Sequence, residues 1–343
     1  MKKISYIDNL RVFSMLFVVL IHCCITSITD FPEYSYNTIK GVCFYSIRNI
    51  GHFAVPCFFM ISGALLLNPK KEITHEKLFR KYILKYALSL LVFGSGFALL
   101  ELLFDNRNFE AIYIPEAVVN VLQGKTWNHM WYMYALLGVM LVLPVLKLIT
   151  QYFSSKQIRN FIIVSMVFLS VITYFEKLFS FDFAVDFPVS SVYCIYMLMG
   201  YYISSNKFIE DKKIHILIIS LCIILFVTDG YLVMMKDADY DFAAYYSPFV
   251  ALFSCSVFSL FKQVANNESE GKGAKIKDRL SECSFGIYII HMFWINIIYK
   301  FADINPFTGI CAVKLPCIFL ITLLLSFVSV LIMKKIPFIR NLV

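Results

Sequence analysis

The run YIDNLRVFSMLFVVLIHC, residues 6–23, puts two groups able to do chemistry on one apolar helix. His22 follows Arg11 by eleven residues, close to three turns. At 1.5 Å per residue the imidazole therefore lies about 16 Å further along nearly the same face. Asp8 stands three residues before Arg11, near enough to pair with it. A guanidinium at one mouth and an imidazole deep in an apolar run suit a substrate with a phosphorylated head and a long reactive arm, as in an acyl-CoA. Histidine can take the proton of a hydroxyl that attacks a thioester, or carry the acyl group itself. Its unperturbed pKa near 6.5 suits either part. The competing reading is an imidazole hydrogen-bonded between packed helices, with Arg11 a plain anchoring charge.

The depth of His22 depends on what surrounds the helix. The chain has 343 residues, of which 59% are hydrophobic and 16% charged, and its mean hydropathy is +0.73. A soluble domain carries nearer a quarter charged residues. So apolar a chain is an integral membrane protein, and disordered and secreted disulfide scaffolds are excluded. Ten cysteines lie mostly inside apolar runs with no CxxC pair, which suits small buried hydrophobes better than metal ligands or disulfides. Spans of about 20 apolar residues are expected at 12–29, 45–67, 83–104, 130–150, 160–175, 189–205, 214–235, 245–264, 285–303 and 314–333. Lys2 and Lys3 before an apolar stretch imitate a signal peptide, but no small-residue cleavage site follows. Only 266–275 has linker-like composition.

Charge fixes the orientation. Of 31 Lys and Arg residues, 23 fall on the side of residues 1–11, 68–85, 147–159, 204–213, 262–284 and 334–343, together with nine of the 23 acids. That side is net +14 and the other −6, so the first is cytoplasmic. The net +8 is thus a topology signal that needs no nucleic acid. The expected fold is an all-α, polytopic bundle of about ten transmembrane helices, one domain over 1–343, with both termini cytoplasmic.

An ionisable residue inside a span is a functional candidate because burying it is costly. His291 and Tyr288, three apart on the ninth span, could position the arm or the carbonyl of a donor, or be satisfied between helices. His129 and Trp131, at the outer end of the fourth span, could bind an acceptor sugar, though an interface belt shared with Trp127, Tyr132 and Tyr134 explains them as well. Asp229 could bond an acceptor hydroxyl or cap its span before Gly230. Ser62 and Gly63 allow close approach of a ligand, or more ordinarily of another helix. No metal site is expected.

The pattern IDxLRxxxxxxxxxxH resembles the acyltransferase family 3 membrane proteins, whose hallmark is a basic residue separated by ten others from a histidine. Three further stretches are similar to that family, in its order: VPCFFMISGALLL at 55–67, HMWYMYALLGVMLVLPVL at 129–146 and SFGIYIIHMFW at 284–294. The resemblance implies transfer of an acyl group, commonly acetyl, from cytoplasmic acyl-CoA to a hydroxyl of an extracytoplasmic glycan or lipid-linked sugar. It makes His22 the catalytic histidine and Arg11 its motif partner, in a multi-pass protein of a bacterial plasma membrane surrounded by lipid. Acetyl-CoA or another acyl-CoA would be a substrate, and no bound cofactor is expected. Arg80, Lys81 and Lys85 resemble a basic stretch of the family that could hold CoA phosphates, or serve as positive-inside charge. Many relatives carry arginine about where His52 stands. Some also carry an extracytoplasmic esterase-like domain, and this chain is expected to be the form without one. The acidic outer side, with Asp182, Asp186, Asp237, Asp239 and Asp241, favours a neutral acceptor over a polyanion. The alternative is a secondary transporter or flippase of a sugar-linked or lipid substrate, which would show inverted repeats and paired broken helices.

Overall fold

The structure is a computed structural model that describes residues 5–185, 191–206, 208–264 and 272–343. Lys2, Lys3, Asp186, the first residues of the 189–205 span and residues 266–271 of the expected linker lie outside the described residues. Among those described there are helices and no strands. We number the main ones α1 Ser5–Asp30, α2 Ile39–Gly51, α3 Ala54–Leu66, α4 His75–Asn106, α5 Tyr113–Leu122, α6 Trp131–Tyr152, α7 Ser155–Phe179, α8 Val192–Ser205, α9 Lys212–Lys236, α10 Pro248–Val264, α11 Lys272–Asn296 and α12 Cys311–Met333. Taking α2 and α3 as one crossing, eight stretches among the described residues are long and apolar enough to span a bilayer. The chain is a multi-pass helical membrane protein. The expected spans at 189–205 and 245–264 are the shorter α8 and α10, of 14 and 17 residues.

Helix α1, the carrier of Arg11 and His22, is the hub of the bundle. It packs against α2, α3, α10, α11 and α12. Leu10, Ser14, Met15, Val18, Val19, Cys23 and Ser27 on its length are buried almost completely. Sequence alone leaves open which neighbours α1 has. The structure gives it α2 and α3 on one side and α11 on the other.

Two spans are interrupted, and both interruptions fall beside α1 near His22. The expected single helix at 45–67 is two helices, α2 and α3, joined through His52 and Phe53. Pro56 explains the break: it has no N–H to return to the carbonyl of His52, and its ring disfavours a straight helix there. Gly51 at this joint sits so close to α1 that an added Cβ would lie 2.6 Å from Ile21 Cγ1. The second interruption precedes α6. Helix α5, not foreseen from the sequence, descends along α4 and stops at Gly124, whose φ of +76° suits glycine. Residues 123–127 are unwound, a turn of 3-10 helix at Asn128–Met130 follows, and then α6 begins. Thr126 Oγ1 donates to the Gly94 carbonyl at 2.9 Å and Trp127 stacks on Phe97, which pins this unwound stretch against the middle of α4. Irregular backbone at such depth is tolerated only where protein surrounds it.

Helix α8 lies against α3 at the closest helix crossing of the fold. A Cβ on Gly63 would fall 1.8 Å from the Met197 carbonyl oxygen, and one on Gly200 would fall 2.0 Å from that of Met60. The glycine of the Ser62–Gly63 pair is therefore a packing residue, as small residues at membrane helix contacts usually are. Lysines on the basic side finish the same two helices. Lys71 Nζ donates to the Leu65 carbonyl at 2.6 Å and Lys147 Nζ to that of Asn68 at 2.7 Å, at the end of α3. Lys262 Nζ donates to the carbonyls of Ile203 and Asn206 at 2.6 and 2.9 Å, at the end of α8. A cation at a helix C-terminus meets free carbonyls and the negative end of the dipole. Part of the inner positive charge thus holds helix ends.

The crossing makes a prediction. Gly200→Ala should destabilise the protein by about 1–3 kcal/mol, because backbone must move to admit the methyl group. Gly138→Ala, where a Cβ meets nothing within 4 Å, should leave the thermal denaturation midpoint in detergent unchanged. Equal midpoints for the two variants would contradict the close crossing.

Candidate active site

The site begins at the basic face, where Asp8, Arg11 and Ser281 form a closed triangle. Arg11 Nη1 donates to Asp8 Oδ1 at 2.8 Å and to Ser281 Oγ at 3.0 Å, and Ser281 Oγ donates to Asp8 Oδ1 at 2.8 Å. The expected i, i+3 pair is therefore formed, and a serine from α11 fixes it. The remaining guanidinium edge faces a cavity of about 300 Å³, at the lower end of the ~300–1,000 Å³ common for small-molecule sites. Lys71 and Lys85 also line it, as do Ser62, Tyr82, Tyr86, Tyr132, Ser284, Phe285 and Tyr288. Three cations surround one opening. Burial, and after it the charges of Lys77, Lys147 and Lys81, push the Lys71 ammonium below the usual lysine range. An arriving anion would offset that repulsion.

Above the cavity sit three histidines from three different elements. His22 of α1 has ring-centroid separations of 4.8 Å from His291 of α11 and 6.2 Å from His129 of the turn before α6. His129 and His291 are 5.2 Å apart. Each ring is tied to a main-chain carbonyl through one nitrogen. His22 Nδ1 lies 2.8 Å from Val18 O, His129 Nε2 3.0 Å from Ile289 O, and His291 Nδ1 2.6 Å from Tyr288 O. A carbonyl only accepts, so those nitrogens carry the protons and the opposite nitrogens keep their lone pairs. Two of the free nitrogens, His129 Nδ1 and His291 Nε2, are buried without a partner. His129 and His291 are enclosed, whereas His22 keeps part of its surface accessible. Tyr288 completes the assembly by donating its hydroxyl to the His129 carbonyl at 2.6 Å. Among the described residues no group of ligand-type side chains is arranged to hold a metal ion.

A family model described as an acyltransferase domain, that of acyltransferase family 3, matches residues 4–334. The chain belongs to this family. No curated protein and no solved structure matches it. Membership makes the chain a membrane acyltransferase in general terms, and it covers all four stretches on which the resemblance rested.

For this acyltransferase the sequence-derived candidates divide by position. Asp8, Arg11 and Lys85 meet at the mouth, and Tyr288, His291 and His22 stand above it. Arg80 and Lys81 are not brought to the cavity: both are exposed, Arg80 pairs with Glu76 at 3.4 Å, and Lys81 lies over Tyr82. His129 is no belt residue. It stands at the start of the Asn128–Tyr152 stretch, as expected, but at 1% exposure and beside His22. Trp131 is half-buried against Tyr132, Tyr193 and Tyr245, which likewise replaces a belt position. Asp229 lies away from these groups. Its Oδ2 accepts from Asn49 Nδ2 at 2.9 Å, joining α9 to α2, and α9 continues to Lys236, so Asp229 is no cap before Gly230. His52 is buried at the α2–α3 joint, bonded to the Ala243 carbonyl and stacked on Tyr245. Lys71, Tyr82, Tyr86, Tyr132, Ser281 and Ser284 were missed as site residues. The spacing of Ser281 and Tyr288, two turns on one helix, was a usable signal for that serine, while Lys71 in a short loop carried none.

The cavity should open to the basic face alone. In a background lacking the accessible Cys43, Cys311 and Cys317, Ser284→Cys should react with a membrane-impermeant thiol reagent in inside-out vesicles and resist it in right-side-out vesicles. Labelling from the outer side would contradict this orientation.

Proposed function

We propose that the protein is a transmembrane O-acyltransferase that moves an acyl group, acetyl in the first instance, from cytoplasmic acyl-CoA to a hydroxyl of an extracytoplasmic or lipid-linked glycan at a bacterial plasma membrane. The observation that carries this reading is the cavity lined by Arg11, Lys71 and Lys85, whose Tyr288 touches His129 and His291, the two rings that neighbour His22. Phosphates suit the cationic mouth, because charge-assisted hydrogen bonds to Arg and Lys are the strong ones. An arm entering between Tyr86, Phe285 and Leu136 would carry its thioester toward the histidines.

In the reaction His22 acts as general base through Nε2, since Nδ1–H is committed to the Val18 carbonyl. The acceptor hydroxyl gives its proton to Nε2 while its oxygen bonds to the thioester carbon. The C–S bond then breaks, and the imidazolium returns the proton to the departing thiolate, leaving an ester and free CoA. A covalent acyl-imidazole, with donor and acceptor visiting in turn, uses the same nitrogen. The acceptor would approach from the outer half. Asp229 lies on that side and is kept as an acceptor-side candidate with His129 and Trp131.

Two interrupted spans also favour a second reading, a transporter or flippase, because discontinuous helices build binding sites in such proteins. One experiment separates the two. Inside-out vesicles holding the purified protein and an outer-surface glycan fraction should move label from acetyl-CoA into the glycan. His22→Ala should cut the rate by on the order of 10²–10⁴-fold. Arg11→Ala should weaken donor binding by about 1.5–3 kcal/mol, or roughly 10- to 150-fold. Wild-type rates in His22→Ala would remove His22 from the reaction, and absence of acyl-CoA binding would favour the transporter.

A further inference from the structure

The donor cavity stops short of the histidines. Among the residues that line it, Tyr288 on α11 has its ring against those of His129 and His291, Tyr132 on α6 packs against Tyr288, and none of the three histidines is in the lining. The two tyrosine rings meet edge to face at 5.3 Å and are nearly buried, at 8% and 7% exposure. Neither is free to swing. Tyr288 is anchored by its hydroxyl on the His129 carbonyl. Tyr132 is wedged edge-on against Phe59, with centroids 5.1 Å apart, and Phe59 is itself stacked on Tyr193. On the far side the Tyr288 ring is 5.8 Å from His129 and 6.1 Å from His291, both enclosed. What remains beyond the tyrosines is the small accessible surface of His22.

The geometry points to Tyr132 and Tyr288 as the wall that sets the length of the acyl group. This rests on the donor reading above. The acyl group is the tip of the donor, so it is the part that reaches this wall first. A two-carbon group can end against these rings, but each further methylene must displace an aromatic ring that is held by packing or by a hydrogen bond. Close-packed interiors resist such insertion. One methylene at a fitted apolar wall discriminates on the order of 10- to 200-fold. Tyr132 is the movable half of the wall by mutation, since its ring is held by packing alone among the contacts described, whereas Tyr288 also supports His129.

The test needs no acceptor. Dissociation constants of free CoA, acetyl-CoA, propanoyl-CoA and butanoyl-CoA are measured on the purified full chain, with free CoA as the reference for each variant. Wild type should bind butanoyl-CoA at least tenfold more weakly than acetyl-CoA. Tyr132→Val should bring that ratio to within twofold of unity, while Tyr132→Phe, which keeps the ring, should retain it. A wild type that binds both thioesters equally, or a ratio unmoved in Tyr132→Val or lost equally in Tyr132→Phe, overturns the wall. If Tyr132→Val does not fold, Tyr132→Leu serves in its place, with the same expected loss of discrimination. Failure of free CoA to bind wild type overturns the donor reading itself, so the two failures are told apart.

Discussion

Two hydrogen bonds running in opposite directions between one turn and one helix hold the site together. The Tyr288 hydroxyl donates to the His129 carbonyl, and His129 Nε2–H donates to the Ile289 carbonyl. The constraint behind them is general: inside an apolar bundle each exposed backbone group must find a partner within the protein. The unwound stretch before α6 meets that demand by clasping α11. In doing so it sets His129 beside His291 and both beside His22. Without the break there would be no loose backbone to satisfy, and without the clasp there would be no reason for three imidazoles to share one place.

The same demand accounts for much of the rest. Lysines of the basic face also finish the C-termini of α3 and α8. Glycines at positions 63 and 200 bring those two helices together, which positions α3 to wall one side of the cavity and to carry Phe59 against Tyr132. Asp8, Arg11 and Ser281 join α1 to α11 at the mouth, and His22 and His291 meet at the top of the same pair. The spacing is nearly the same on both helices: eleven residues from Arg11 to His22 and ten from Ser281 to His291. The distance from mouth to base is thereby written twice.

What was legible in the sequence was whatever a single helix could carry. Arg11 and His22 share a face because of helical periodicity, and Tyr288 with His291 for the same reason, so neither pairing needed tertiary knowledge. Composition and the sorting of charge led to a helical membrane protein of about ten spans, and the ordered stretches led to the family. The rest depended on how helices meet. His129 looked like an interface residue because it stands at the end of its span, whereas its two hydrogen bonds to α11 enclose it. Tyr132 was one aromatic in a run of them until packing against Tyr288 distinguished it. Arg80 and Lys81 do not line the cavity that Lys85 of the same run reaches, a division that a basic run cannot reveal. Pro56 carried a signal for the joint at His52 that the single span expected over 45–67 left unused, and nothing marked a second break before α6.

The central claim is that the acyl group is handed over at the accessible face of His22, reached from the basic side. The most direct measurement is a structure of the chain bound to a non-transferable acetyl-CoA analogue. The account predicts the nucleotide phosphates against Arg11, Lys71 and Lys85, the arm between Tyr86 and Phe285, and the acyl carbonyl within one hydrogen-bonding distance or one water of His22 Nε2. An analogue bound with its acyl carbon elsewhere, on the lipid-facing surface or at the outer end of the bundle, would contradict it.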